Sequence, residues 1–274
     1  MRELTPQAVQ AFFNDKHSAG LAARTVSQVR AELRAALNDA MRWGLVARNV
    51  AALADGPRIT HEEIQPLSPV EAKGMLDAIS GDRLEALYSV ALAVGLRQGE
   101  ALGLHWDDVD LEEGTLHVKT TLQFINGEWQ FVEPKTSRSR RTIALPCVAV
   151  GALRAHKDRQ EFERRSAGKA WQETSLVFAT PTGEPLHGTT VTKAFQKILR
   201  GADLPRQRFH DLRHGCASLL LAQGVHPRVV METLGHSTIA LTMNTYSHVM
   251  PELQREAANK MDATLSRVPS KRAQ

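Results

Sequence analysis

The sequence predicts a mainly α protein with one small antiparallel β-meander, an α+β fold built from two domains, and three observations predict it. Apolar residues recur at helical spacing over long stretches toward both ends of the chain. A stretch containing Gly and three prolines interrupts that period at residues 54 to 69. Between about residues 114 and 145 the pattern turns to short β-like runs around an Asn-Gly pair.

The elements follow in order. Residues 5 to 14 read as a short helix, with Thr5 as N-cap and Pro6 at the first helical position. A longer helix lies in AARTVSQVRAELRAALNDAMRWG, where Val26, Val29, Leu33, Leu37 and Met41 form an apolar stripe. Arg24, Gln28, Arg34 and Arg42 fall mostly off that stripe, and Gly44 can end the helix, which predicts a small helical domain with a basic face. The linker follows in ADGPRITHEEIQPLSP. Ser68, Pro69 and Glu71 then spell a capping box that starts the next helix, and a mostly apolar helix is predicted over roughly Arg83 to Val94. GTLHVKTTLQF, EWQFVEP and RRTIALP read as the three strands of the meander, with Asn126-Gly127 as its first turn and KTSRSRRT on its second. Helical patterns return from about 147 to 166 and from 189 to the end.

Composition narrows the function classes. Hydrophobic residues at 42% and charged residues at 23% describe a globular chain, not a disordered one. No apolar run approaches the roughly 20 residues that cross a bilayer, and the N-terminus lacks the apolar core of a secretory signal. Two distant cysteines, Cys147 and Cys216, form no disulfide framework and fit a reducing cytoplasm. A net charge of +4 permits nucleic-acid binding without demanding it, and the cations cluster locally at Lys135, Arg138, Arg140 and Arg141.

The hexapeptide HDLRHG (210 to 215) raises the question of chemistry. His210 and His214 share a helix face and, with Cys216, spell an incomplete zinc set: there is no paired Cys-x-x-Cys and no Glu after the first His. There is no Gly-x-Ser-x-Gly elbow for a serine hydrolase. Arginine points to phosphate, because its planar, permanently charged fork matches non-bridging oxygens and two forks can hold one phosphoryl group. Arg213 stands in the hexapeptide and Arg97 at the end of an apolar helix; His236 and Tyr246, one of only two tyrosines, follow near the C-terminal end.

Taken together, VGLRQGEALGLHWDDVD, HDLRHGCASLLLAQGV and LGHSTIALTMNTYSHV closely resemble the tyrosine recombinase (phage integrase) family over about residues 68 to 250. The resemblance implies a helical, SAM-like core-binding domain at residues 1–56, a linker at 57–68, and a catalytic domain at 69–274 with a C-terminal tail, forming a C-shaped clamp on double-stranded DNA. It places Arg97, His210, Arg213 and His236 at the phosphate site, Tyr246 as the nucleophile and Lys135 as the hairpin lysine. Arg24, Arg34, Arg138, Arg140 and Arg141 are expected DNA-binding residues; Glu100 is an expected support for the fold, and His214 an expected core or supporting residue.

The physics agrees with those choices. Two arginines neutralise the charge that repels a nucleophile from a phosphodiester, His210 is a base or orienting group for the phenol, His236 bonds a non-bridging oxygen, and a lysine can protonate the departing 5′ oxygen. No metal, cofactor or ATP is implied, since the 3′-phosphotyrosyl bond conserves the energy of the broken linkage. The partners implied are recombination-site DNA, three further copies of the chain in a tetramer held by the C-terminal segment, and accessory directionality and DNA-bending proteins, in a cytoplasmic, nucleoid-associated bacterial setting. Other readings are a type IB topoisomerase, an Xer-type chromosome-dimer resolvase and a catalytically silent DNA-binding regulator; the context favours an integrase of a phage or integrative element.

Overall fold

Residues 4–59, 66–133, 140–236 and 250–265 are described by the computed structural model, and the chain divides into two units, Met1–Ile64 and Gln65–Gln274. In the first, α1 (Pro6–Ser18) starts where Thr5 Oγ1 accepts the Ala8 N–H at 3.1 Å and Pro6 pre-sets the helical φ. It runs four residues past Asn14, because no breaker stands before Gly20. Helix α2 (Ala23–Arg42) lays Val26, Val29, Leu33 and Leu37 against Val9, Phe13, Val50, Ala51 and Ala54. Met41, expected on that stripe, is 41% exposed, since the last turn runs beyond the small core. The segment after α2 is held by polar contacts: Asn49 Nδ2 donates to Arg34 O (2.8 Å) and Arg30 Nε to Ala54 O (2.7 Å). The side chains of Arg24 and Arg34 stay on the exposed side of α2.

The second unit begins at α3 (Pro69–Ile79), where Ser68 Oγ accepts the Glu71 N–H and Glu71 Oε2 accepts the Ser68 N–H at 2.8 Å, the reciprocal box that the sequence spells. Helix α4 (Glu85–Val94) buries nearly every residue and is packed by α6 (Cys147–Ala167) and α8 (Phe209–Ala222). Such all-round burial explains its apolar sequence. Tyr88 ties α4 to α7 (Gly188–Gly201), stacking on Phe195 at 4.8 Å while its hydroxyl donates to Val191 O. After Gly95 comes the short α5 (Gln98–Leu102), and α9 (Pro227–Leu234) and α10 (Met250–Leu265) complete the described helices. None of the described helices is long and apolar enough to cross a membrane.

The β region departs from the expected three-stranded meander. Strands β1 (Val109–Asp110), β2 (Thr115–Val118) and β5 (Arg141–Ala144) form one antiparallel sheet in the order β1-β2-β5, with Val118 opposite Arg141. Strands β3 (Thr121–Ile125) and β4 (Glu128–Val132) form a separate hairpin on Asn126-Gly127, both at positive φ. GTLHVKTTLQF is thus two strands, and α5 is the reason. Gly99 and Gly103 bring the α5 backbone so close that a Cβ at Gly103 would stand 2.7 Å from Leu122 N, and Thr120 Oγ1 donates to Gly103 O. The chain leaves the first sheet at Lys119 to follow α5.

Candidate phosphate-binding site

Two glycines set the site. Gly95 (φ 68) ends α4, and a Cβ there would lie 2.2 Å from Leu234 Cδ2; Gly235 (φ 67) ends α9, and a Cβ there would lie 3.0 Å from Arg141 Nη1. Both positions need the left-handed backbone that only glycine adopts without strain, and both need the missing side chain. The ends of α4 and α9 are thereby pressed together, and Leu96–Arg97 and His236 leave from that meeting point.

Three sequence-distant segments are bonded to one another there. Arg213, on α8 and only 2% exposed, donates from Nη1 to Gly95 O at 2.7 Å. Arg97, half-buried at the start of α5, donates from Nη1 to Glu100 Oε1 (2.6 Å) and from Nη2 to Gly235 O (3.1 Å). The buried Glu100 carboxylate also accepts from Arg141, at 3.2 Å on Oε1 and 2.9 Å on Oε2. Burial alone would raise the Glu100 carboxyl, but hydrogen bonding and charge from Arg141, then Arg97, hold it below the usual range. His236 is 7% exposed, and its N–H is held by Met231 O at 3.0 Å.

Histidines surround the arginines in the neutral form. The rings of His210 and His214 meet edge to face, with centroids 5.0 Å apart. Desolvation, then the positive charge of Arg213, lowers the pKa of His210. Desolvation and His210 lower His214 to about 4; desolvation, Arg213 and Arg97 lower His236 to about 3. Asp211, paired with Arg208 at 2.8 Å, fastens the first turn of α8. The structure therefore brings Arg97, His210, Arg213 and His236 into one electropositive cluster with neutral imidazoles, suited to an oxyanion.

These shifts predict a pH dependence. An unfolded histidine titrates near 6.5, so as pH falls below that value the unfolded chain binds protons that the folded site refuses. Stability contributed by His214 and His236 is full above about pH 7 and is lost as pH falls toward their folded values of about 4 and 3. Melting temperature is expected to fall from pH 7 to pH 5, by about 2–4 °C for each kcal/mol lost. A melt that stays level across that interval would contradict neutral, buried histidines.

Lys135, Arg138 and Tyr246 lie outside the described residues, as do the 60–65 part of the linker and the side chains of Leu253 and Ala257, which stand at helical spacing with Met261 in the C-terminal segment. Arg140 is exposed and pairs with Glu133. Arg141, read from sequence as one more loop cation on the DNA, is turned inward: its side chain is 7% exposed and is bonded to Glu100 and Thr233 O. Two residues escaped the sequence reading. One is Arg141 in that inward role, which needs the fold to be seen. The other is Lys119, one residue past the Val118–Arg141 pair, whose Nζ lies 2.5 Å from Asp108 Oδ1. Lys119 lines a surface hollow of about 600 Å³ with His117, Thr120, Glu133, Arg140 and Arg141. Its signal was a lysine inside an otherwise β-like run. Cys216 Sγ donates to Ala93 O and burial pushes its thiol up to about 12, so it is not turned toward the two histidines as a ligand.

Known proteins resemble this chain in sequence and fold. The model of the phage integrase family matches residues 58–252. A tyrosine recombinase XerC-like protein of Caldanaerobacter subterraneus subsp. tengcongensis is 32% identical over 93% of this chain and 70% of its own length. An integrase of Streptomyces ambofaciens is 32% identical over 99% of this chain and 71% of its own length. Among solved structures, the Tn1549 transposon integrase in complex with transposon right end DNA shares the fold with a TM-score of 0.80 at 22% identity, covering 94% of this chain and 87% of that one.

Proposed function

The chain belongs to the phage integrase family and is a site-specific tyrosine recombinase of phage or mobile-element type, and we propose that it cleaves and rejoins DNA through a covalent bond between Tyr246 and a 3′ phosphate. The observation that carries this reading is the convergence of Arg213, Arg97 and His236 on the joined ends of α4 and α9. Arg97 and Arg213 take the non-bridging oxygens of the scissile phosphate and offset the charge that grows as a fifth oxygen bonds to phosphorus. His210, neutral and exposed, receives the phenolic proton as Tyr246 attacks; His236 donates to a non-bridging oxygen. The P–O bond to the 5′ oxygen breaks as the tyrosyl bond forms, and the leaving oxygen takes a proton. Attack by a 5′ hydroxyl from another strand reverses each step, so the linkage is restored without ATP.

Tyrosine usage supports Tyr246. The chain has two tyrosines, and the other, Tyr88, is sealed in the core with its hydroxyl bonded to Val191 O and its phenol pushed up by burial. Two lysines compete for the proton donor: Lys135, at the family's hairpin position by resemblance, and Lys119, which lines the hollow beside Arg141. Alanine at the true donor is expected to slow cleavage about 100-fold or more. A bridging 5′ sulfur, which leaves without protonation, restores the rate for that variant alone. Equal cleavage by both alanine variants would remove lysine from the mechanism.

The same reading assigns the helical unit with Arg24 and Arg34 to the duplex backbone, with Arg138 and Arg140 joining it, so affinity falls steeply with salt. It also assigns α10, whose Met261 and Leu265 are exposed, to contact with a neighbouring copy in a DNA-bound tetramer. Accessory directionality and DNA-bending proteins complete the assembly. The test is covalent trapping on a nicked crossover site whose cleaved fragment diffuses away. A denaturant-resistant adduct that persists in EDTA is expected; DNA binding with no adduct would point instead to a silent regulator.

A further inference from the structure

We propose that Arg141 is a positioning residue for the reaction: from β5 it sets Arg97 through their shared Glu100 carboxylate and sets His236 through the end of α9, acting on the scissile phosphate without touching it. This rests on the reading of Arg97 and His236 as phosphate-site residues. Arg141 stands in a run of cations, yet its side chain is 7% exposed whereas that of neighbouring Arg140 is 54% exposed. Its three guanidinium nitrogens face inward: Nε donates to Thr233 O at 2.7 Å, Nη1 to Glu100 Oε1 and Nη2 to Glu100 Oε2. A planar fork bonded on two edges fixes its partners in direction as well as distance.

What it fixes is the geometry of two other groups. Glu100 accepts from Arg141 and Arg97 together, so the plane of its carboxylate, and with it the Arg97 fork, follows Arg141. Thr233 O and Gly235 O are carbonyls at the negative end of α9, and the two arginines each take one. Gly235 lies directly on the Arg141 guanidinium, where even a methyl group would come within 3.0 Å of Nη1. His236 is the next residue. Arg141 itself is placed by sheet pairing with Val118.

The test compares Arg141→Lys, Arg97→Ala and wild type on one trapping substrate, reading DNA affinity, single-turnover cleavage at saturating DNA, and melting temperature. Arg141→Lys keeps the charge and loses the double fork. It is expected to bind DNA within about threefold of wild type and to cleave about 100-fold more slowly. A neutral methylphosphonate at the scissile position needs less charge neutralisation, so it should shrink the deficit to about tenfold, a relief that mere loss of folding would not show. If Arg97→Ala cleaves normally, the phosphate-site reading fails and takes this inference with it. If Arg97→Ala is impaired and Arg141→Lys cleaves like wild type, this inference alone is overturned. It is overturned too if Arg141→Lys binds about tenfold more weakly, with the salt slope reduced by about one and cleavage at saturation unchanged, since that marks a DNA contact. Should Arg141→Lys not fold, Arg141→Met combined with Glu100→Gln replaces the buried ion pair, and the amide oxygen still accepts from the half-buried Arg97. That pair is expected to fold and show the same loss and relief; normal cleavage, or failure of both variants to fold, overturns the inference.

Discussion

Tyr246→Phe is expected to hold its DNA as tightly as wild type and to form no covalent adduct. The substitution removes one oxygen and keeps the ring, so phosphate contacts made by arginines elsewhere are untouched, and the binding gel serves as the internal control. Neither the second tyrosine nor the cysteine beside the site offers a substitute nucleophile. The phenol of Tyr88 is buried against Phe195 and Phe209, and the Cys216 thiol is buried with its proton held to about 12. A denaturing gel with and without EDTA reads the result directly. An adduct in the Phe variant would move the nucleophile to another residue and overturn the assignment of Tyr246.

Arg213→Ala is expected to lower single-turnover cleavage by at least about 10²–10³-fold, the usual cost of losing one donor aimed at developing oxyanion charge. Two further consequences follow from its place in the fold. Gly95 O loses the 2.7 Å bond that ties α8 to the end of α4, which costs about 1–3 kcal/mol for a stranded buried carbonyl. The histidines also report the loss. After desolvation, Arg213 is the largest influence holding down both His210 and His236, so both imidazoles should titrate at higher pH in the variant. Histidine NMR titration measures this separately from activity. Unmoved imidazoles would mean that Arg213 does not face them, and a wild-type cleavage rate would remove it from the phosphate site.

What the sequence makes legible is what short-range physics decides. Thr5, Ser68 and Asn126-Gly127 announce their structures because a cap or a two-residue turn is settled within four residues. The Val26–Leu37 stripe is legible for the same reason, and Met41 failed only because the core it was to meet ends one turn earlier. The β-like runs were legible, but the short β1, the break between β2 and β3, and the strand partners were not. Whether Thr115–Val118 pairs with its neighbour or with Arg141–Ala144 depends on α5 drawing Thr121 away through Gly99 and Gly103, a contact between helix and strand that no local pattern encodes. Arg141 is the sharpest case. In KTSRSRRT it is indistinguishable from Arg140, and only alternation along β5, opposite buried Val118, separates the inward residue from the outward one. The motif residues were legible through resemblance; that Glu100 binds two arginines, and that Gly95 and Gly235 let two helix ends meet, required the fold.

The small core of the N-terminal unit bears on how readily the DNA contacts proposed for that unit can be varied. Six buried residues, Val9, Phe13, Val26, Val50, Ala51 and Ala54, form the centre of that unit, and a core of this size leaves a narrow stability margin. Substitutions at those six positions are expected to destabilise the unit, so diversification that includes them is expected to lose folded members. Variation confined to Arg24, Gln28 and Arg34, whose side chains are exposed on α2, leaves that margin intact. A library restricted to those positions, preceded by a stabilising change on the same helix, should retain far more folded members than one spread across the unit. In this chain evolvability is a property of one exposed helical face.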